Sequence, residues 1–108
     1  SGELEYVALL SQNGVAAPTI QVIKNTLGVT PTALYAGVGN YELHCPLFIP
    51  PQTFVETGII DWNNLAAVQY NPSAGLIQIN TFDLSGLPAL TPTDGILQNT
   101  PIRITIYP

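Results

Sequence analysis

Apolar residues recur at every second position through most of this chain. Leu4, Tyr6, Ala8 and Leu10 fall on one side of an extended segment, and Glu3, Glu5, Val7 and Leu9 fall on the other. A period of two marks a β-strand with one buried face, because successive side chains point to opposite sides. Residues 19–24 repeat the pattern, with Ile20 and Val22 set against Gln21 and Lys24. Asn13-Gly14 and Asn25-Thr26-Leu27-Gly28 read as the turns that bound this second strand. A third strand is expected near 32–37, closed by Gly37-Val38-Gly39-Asn40.

The segment 41-YELHCPLF-48 places Tyr41, Leu43, Cys45 and Leu47 inward and Glu42 and His44 outward. Pro46 on its outer side suggests an edge strand or a bulge, since proline cannot donate to a ladder. Phe54, Val55, Ile59 and Ile60 give a short apolar strand interrupted by Gly58. The clearest local unit is the hairpin 66-AAVQYNPSAGLIQIN-80, with arms 66–70 and 76–80 around a loop ending in Gly75. Residues 84–101, with Pro88, Pro92 and Pro101, read as a long irregular connection. The chain then closes on 101-PIRITIYP-108, with Ile102, Ile104 and Ile106 aligned on one face. Such an end is a strand that pairs inside a sheet and fixes register, not a tail.

No segment holds helical spacing for three turns; a single helical turn over residues 61–65, capped by Asp61, is the one helical expectation. Ten prolines and nine glycines fall at strand spacing. The pattern therefore predicts an all-β single domain over residues 1–108. Its expected form is an antiparallel β-sandwich or jelly-roll-like barrel of six to eight short strands.

Charge changes the picture more than any motif does. Lys24 and Arg103 are the only basic residues against seven acids, for a net charge of -5, and charged residues make up 8% of the chain. A typical soluble domain carries about 25%. Two cations cannot neutralise a row of phosphates, which argues against nucleic acid, and anionic membrane surfaces are disfavoured for the same reason. No long apolar run suggests a membrane span. The opening Ser1-Gly2, without Met, fits either a processed chain, in which a secretory signal is one removable segment, or an expression remnant. The hydrophobic fraction of 46% is that of a folded protein. A neutral exterior suits a surface covered by other polypeptides, because interface cores are depleted in Lys, Glu and Asp.

Parts for chemistry are scarce. His44 is the single histidine, two residues from Glu42 on one strand face, and none of Ser1, Ser11, Ser73 or Ser85 lies in a Gly-x-Ser-x-Gly elbow. Cys45 is the one cysteine, so no intrachain disulfide forms, and next to His44 on a regular strand it points to the opposite face. Glu3 with Glu5, or Glu56 with Asp61, are the carboxylate pairs a glycosidase would need; both read better as solvated acids. Zinc lacks ligands. Calcium would have only Asp61 with Asn63, or Asp83 with backbone carbonyls, and Asp94-Gly95 is a turn signal first. Gly37-Val38-Gly39 lacks the helix of a phosphate site. No catalytic residue, metal or cofactor is assigned. Tyr35, Trp62, Tyr70 and Tyr107 are the candidate interface or ligand contacts.

Three stretches carry a resemblance: 6-YVALLSQNGVAAPTIQVIKNTLG-28, Gly37-Val38-Gly39-Asn40-Tyr41, and 98-QNTPIRITIYP-108. Together they resemble a family of small all-β proteins of Bacteroidetes bacteria and the phages that infect them. Its members share an ALLSQ-x-G…APT…NTLG opening, a G-x-G-x-Y strand start and an NTPI-x-I close. Where members often carry Trp-x-Arg after NTLG, this chain reads 29-VTPTALYAGVG-39. The resemblance implies a non-enzymatic virion part: a capsid decoration, head-fibre or tail component. Its partners would be copies of itself, a trimer being favoured because fibre parts are often trimeric, or other virion proteins. The alternative is a secreted or surface-displayed module that binds glycan or host protein, with an extracellular location.

Overall fold

The computed structural model describes residues 2–49, 52–57, 64–71 and 75–108. They form nine strands: β1 (Leu4–Ser11), β2 (Thr19–Asn25), β3 (Thr32–Gly37), β4 (Asn40–His44), β5 (Thr53–Thr57), β6 (Asn64–Asn71), β7 (Leu76–Asp83), β8 (Thr91–Pro92) and β9 (Thr100–Ile106). No helix occurs among the described residues. All pairings are antiparallel. One sheet has the order β2-β1-β9-β5 and the other β3-β4-β7-β6, with the two-residue β8 also on β7. The chain is thus a β-sandwich of two separate sheets.

The period-two pattern decides what fills the space between the sheets. Tyr6, Ala8 and Leu10 of β1 and Ile102, Ile104 and Ile106 of β9 meet Tyr41 and Leu43 of β4 and Ile77 and Ile79 of β7. β9 sits between β1 and β5, pairing Ile104 with Tyr6 on one side and with Val55 on the other. β9 is therefore an inner strand, and its three isoleucines face the core.

Several expectations are corrected in detail. The strand expected over 41–48 ends at His44. β4 lies inside its sheet and not at an edge. Pro46 is accommodated because the Cys45 amide makes the final bond, to Gly75 O at 3.0 Å, before the proline is reached. The connection expected to be irregular over 84–101 contains β8, and its last two residues already belong to β9. In β2 the alternation is broken by a bulge: Val7 pairs Lys24 but Ala8 pairs Val22, so Ile23 is the extra residue. That insertion puts Lys24 on the outer face with Gln21, three positions away, where its ammonium reaches Glu5 Oε1 at 2.7 Å. Phe54 lies on the outer face of β5 and is exposed. Leu65 belongs to β6. Gly58, Ile59, Ile60 and the rest of the predicted turn, residues 61–63, lie outside the described residues, as does the hairpin loop 72–74.

One core group is poorly matched to its surroundings. The Tyr6 hydroxyl is buried without a hydrogen-bond partner among the described residues. Burial, and then the neighbouring Cys45, push its phenol above the ordinary value. An unmet buried hydroxyl costs roughly 1–3 kcal/mol. Tyr6→Phe is therefore expected to raise stability by about 1 kcal/mol after the small void is counted. A denaturant titration checks this, and a lower midpoint would mean that the hydroxyl is satisfied.

Candidate functional site

Gln12 follows β1 directly and is 1% exposed, although it is polar. Its amide nitrogen donates to Gly14 O at 2.9 Å and Ala16 O at 3.0 Å, which shapes the loop over residues 12–18. Its carbonyl oxygen accepts from the Gly95 amide at 2.7 Å and lies 2.8 Å from the Tyr41 hydroxyl. The same hydroxyl lies 2.7 Å from Asp94 Oδ1, so one proton serves two acceptors. Asp94 also accepts from the Gly39 amide at 2.9 Å and from the Tyr35 hydroxyl at 2.7 Å. A single polar knot thus ties the β1–β2 loop, the β3–β4 turn and the β8–β9 connection to one another.

The charges follow from this geometry. Burial opposes ionisation of Asp94, but the Gly39 amide and the Tyr35 and Tyr41 hydroxyls outweigh it and hold the carboxyl below its usual range. The Tyr41 phenol is raised, first by burial and then by its bond to Asp94. The Tyr35 phenol is raised by its hydrogen bond to Asp94, then by burial. Gly39 completes the knot sterically. Its φ is +61°, and a Cβ there would stand 2.6 Å from both Thr81 O and Thr93 N. Only glycine lets the turn approach β7 and β8 so closely.

The loops tied by the knot, together with the β7–β8 connection that precedes β8, form one end of the sandwich. Residues 12–18, 37–39 and 84–99 contain a single charge, Asp94, and it is turned into the knot. The same loops display Val15, Val38, Leu87 and Leu90, each more than half exposed. Further apolar surface lies along the β2 and β3 edges, with Lys24 of β2, paired to Glu5, as the charge described on these two strands. Val22 faces between the sheets, opposite Ala8, yet is 47% exposed, and the edge strand β3 carries no charge.

The candidate contacts are dispersed. Tyr35 is half-buried in the knot, its ring tilted against Tyr41 at 5.9 Å. Tyr107 follows β9 and stands edge-to-face with Phe54 at 5.5 Å, so it belongs to the other sheet. Tyr70 lies on β6 opposite Ile77, but its side chain is outside the described part of the structure. Trp62 lies outside the described residues.

The acid-base candidates stay simple. His44 Nε2 and Glu42 Oε1 are 2.8 Å apart, half-buried on the outer face of β4, while Cys45 is buried. Thr32 is the residue opposite His44 on β3. Glu5 is paired with Lys24 at 2.7 Å and has Arg103 at 3.9 Å. The Lys24 hydrogen bond, with the two positive charges behind it, holds its carboxyl low. Asp83 accepts from the Ser85 amide at 2.9 Å, which lowers its pKa. No cluster of three or more His, Cys, Asp or Glu side chains suited to a metal occurs among the described residues.

A scan against protein-family models and searches of curated proteins and of solved structures give no match.

Proposed function

We propose that this chain is a non-enzymatic structural protein that works by burying its neutral end against copies of itself or against a larger protein assembly. A virion is the assembly that the resemblance at the two ends of the chain favours. The observation that carries the reading is the end built from loops 12–18, 37–39 and 84–99, where exposed Val15, Val38, Leu87 and Leu90 share the surface with no outward charge. Scattered apolar residues are ordinary on a protein surface. Their collection on three loops that carry no outward charge, in a strongly acidic chain, is not.

A second copy is the favoured occupant on electrostatic grounds. Two chains of charge -5 repel, and they approach at least cost through their least charged described surface, the loops 12–18, 37–39 and 84–99, with Asp83 at its margin on the Ser85 amide. A standard interface buries about 800 Å² per partner, against a total accessible surface of 5979 Å² here. The loop end and the uncharged β3 edge together offer the surface for such a contact. Sedimentation velocity at micromolar concentration is expected to show a particle larger than 11.5 kDa. The double variant Leu87→Asp/Leu90→Asp is expected to return it to the monomer with its melting temperature unchanged. Wild-type protein that sediments only as the monomer would remove the self-association reading.

A further inference from the structure

The outer face of the first sheet holds a cleft at the far end of β9 from the neutral loops. Its main part, about 560 Å³, is lined by Gln52, Phe54, Glu56, Thr105 and Tyr107. This volume lies in the range of small-ligand sites, roughly 300–1,000 Å³. The sheet register explains the lining. Phe54 pairs with Thr105 and Glu56 with Arg103, so these four side chains share one face. The Tyr107 amide donates to Gln52 O at 2.9 Å and holds Gln52 alongside. A second hollow of about 230 Å³ shares Glu56 and continues past Arg103 to Val7 and Pro101.

We propose that this cleft binds a neutral oligosaccharide, lying along β9 with one sugar on the Phe54–Tyr107 pair and the next beside Glu56 and Arg103. The two rings stand at 83° to one another, and both side chains are about half exposed, so aromatic faces remain open. Such faces take the C–H side of a pyranose. With them stand the Glu56 carboxylate, which only accepts, and the Gln52 amide and Thr105 hydroxyl, which do both, while the Arg103 guanidinium, which only donates, lines the second hollow within 3.9 Å of Glu5. This mixed set matches vicinal hydroxyls, each of which donates and accepts. A proline-rich peptide would use the aromatic faces but would leave Glu56 without donors. A nucleic acid or other polyanion is opposed by Glu56 and by the net charge of -5. The two hollows in series favour a chain of sugars over a single one. The inference stands on the cleft alone and does not depend on the assembly reading.

The test uses β-1,4-linked hexasaccharides of glucose, xylose, mannose and galactose, and a proline-rich decapeptide, each titrated into ¹⁵N-labelled protein. At least one oligosaccharide is expected to bind at millimolar or better affinity and to shift the amides of residues 52–56 and 103–107. Glu56→Gln is expected to weaken it about tenfold, and Phe54→Ala/Tyr107→Ala about a hundredfold. Leu34→Ser, on the other sheet, should leave affinity unchanged. The proposal is overturned if none of the four sugars binds, if the shifts map elsewhere, or if only the peptide moves the cleft residues.

Discussion

A chain that stops at Pro101 is expected to stay unfolded. β9 is the inner strand that holds its sheet together, paired from Leu4–Leu10 on one side and from Thr53–Thr57 on the other. Without residues 102–108, β5 has no partner in its sheet and β1 keeps only β2. A lone hairpin is marginal in water. The lost burial of Ile102, Ile104 and Ile106 is worth roughly 5–9 kcal/mol, taking 1.5–3 kcal/mol for each fully buried aliphatic side chain. Domains of this size are stable by only about 5–15 kcal/mol in total, and the ladder bonds go as well. Far-ultraviolet circular dichroism and a thermal scan of the truncated chain check this. A soluble truncation with a cooperative melt would show that the remaining strands hold a core without β9.

That strand was legible because its information is local. Three isoleucines at alternate positions demand a buried face, and that face is what the pattern states; the partners on either side come from the sheet. The same logic holds for the inward residues of β1 and β4. It fails where a residue's role depends on a distant partner. Nothing local says that β2 bulges at Ile23; the insertion becomes visible only once Val7 and Ala8 are paired with Lys24 and Val22. Pro46 was a sound turn signal, but its place relative to the sheet depended on the Cys45–Gly75 bond. The polar knot was the least legible part. Gln12 reads as an ordinary polar residue after a strand, and Asp94-Gly95 reads as a turn. Their contacts join residues up to 83 positions apart. The one available hint was negative: Asp94 is the only charge between Asp83 and Arg103, in a stretch where solvent would tolerate many. The neutral surface was legible in amount from composition, whereas its collection at one end came only with the loops that the knot gathers.

Replacing Gln12 by Ala should be the most damaging single change at that end. The substitution strips the acceptor of the Gly95 amide and the donor to Gly14 O and Ala16 O, and it removes one of the two acceptors that share the Tyr41 hydroxyl proton. Some of these groups reach water once freed, so the expected loss is about 2–4 kcal/mol and not the sum of four bonds. The pH dependence of stability gives a second readout of the same knot. Asp94 has a lowered pKa in the folded state, so its contribution is complete above the unfolded carboxyl value, about 3.9, and is lost as pH falls below it. Tyr41 has a raised pKa, so its contribution is complete below the unfolded phenol value, about 10, and is lost as pH rises beyond it. Asp94→Asn should flatten the acid limb, and Tyr41→Phe should flatten the alkaline limb. Urea titrations across pH measure all three variants. A Gln12→Ala protein as stable as the wild type would mean that the three loops are held by packing alone, and the neutral end would then owe its shape to something other than this knot.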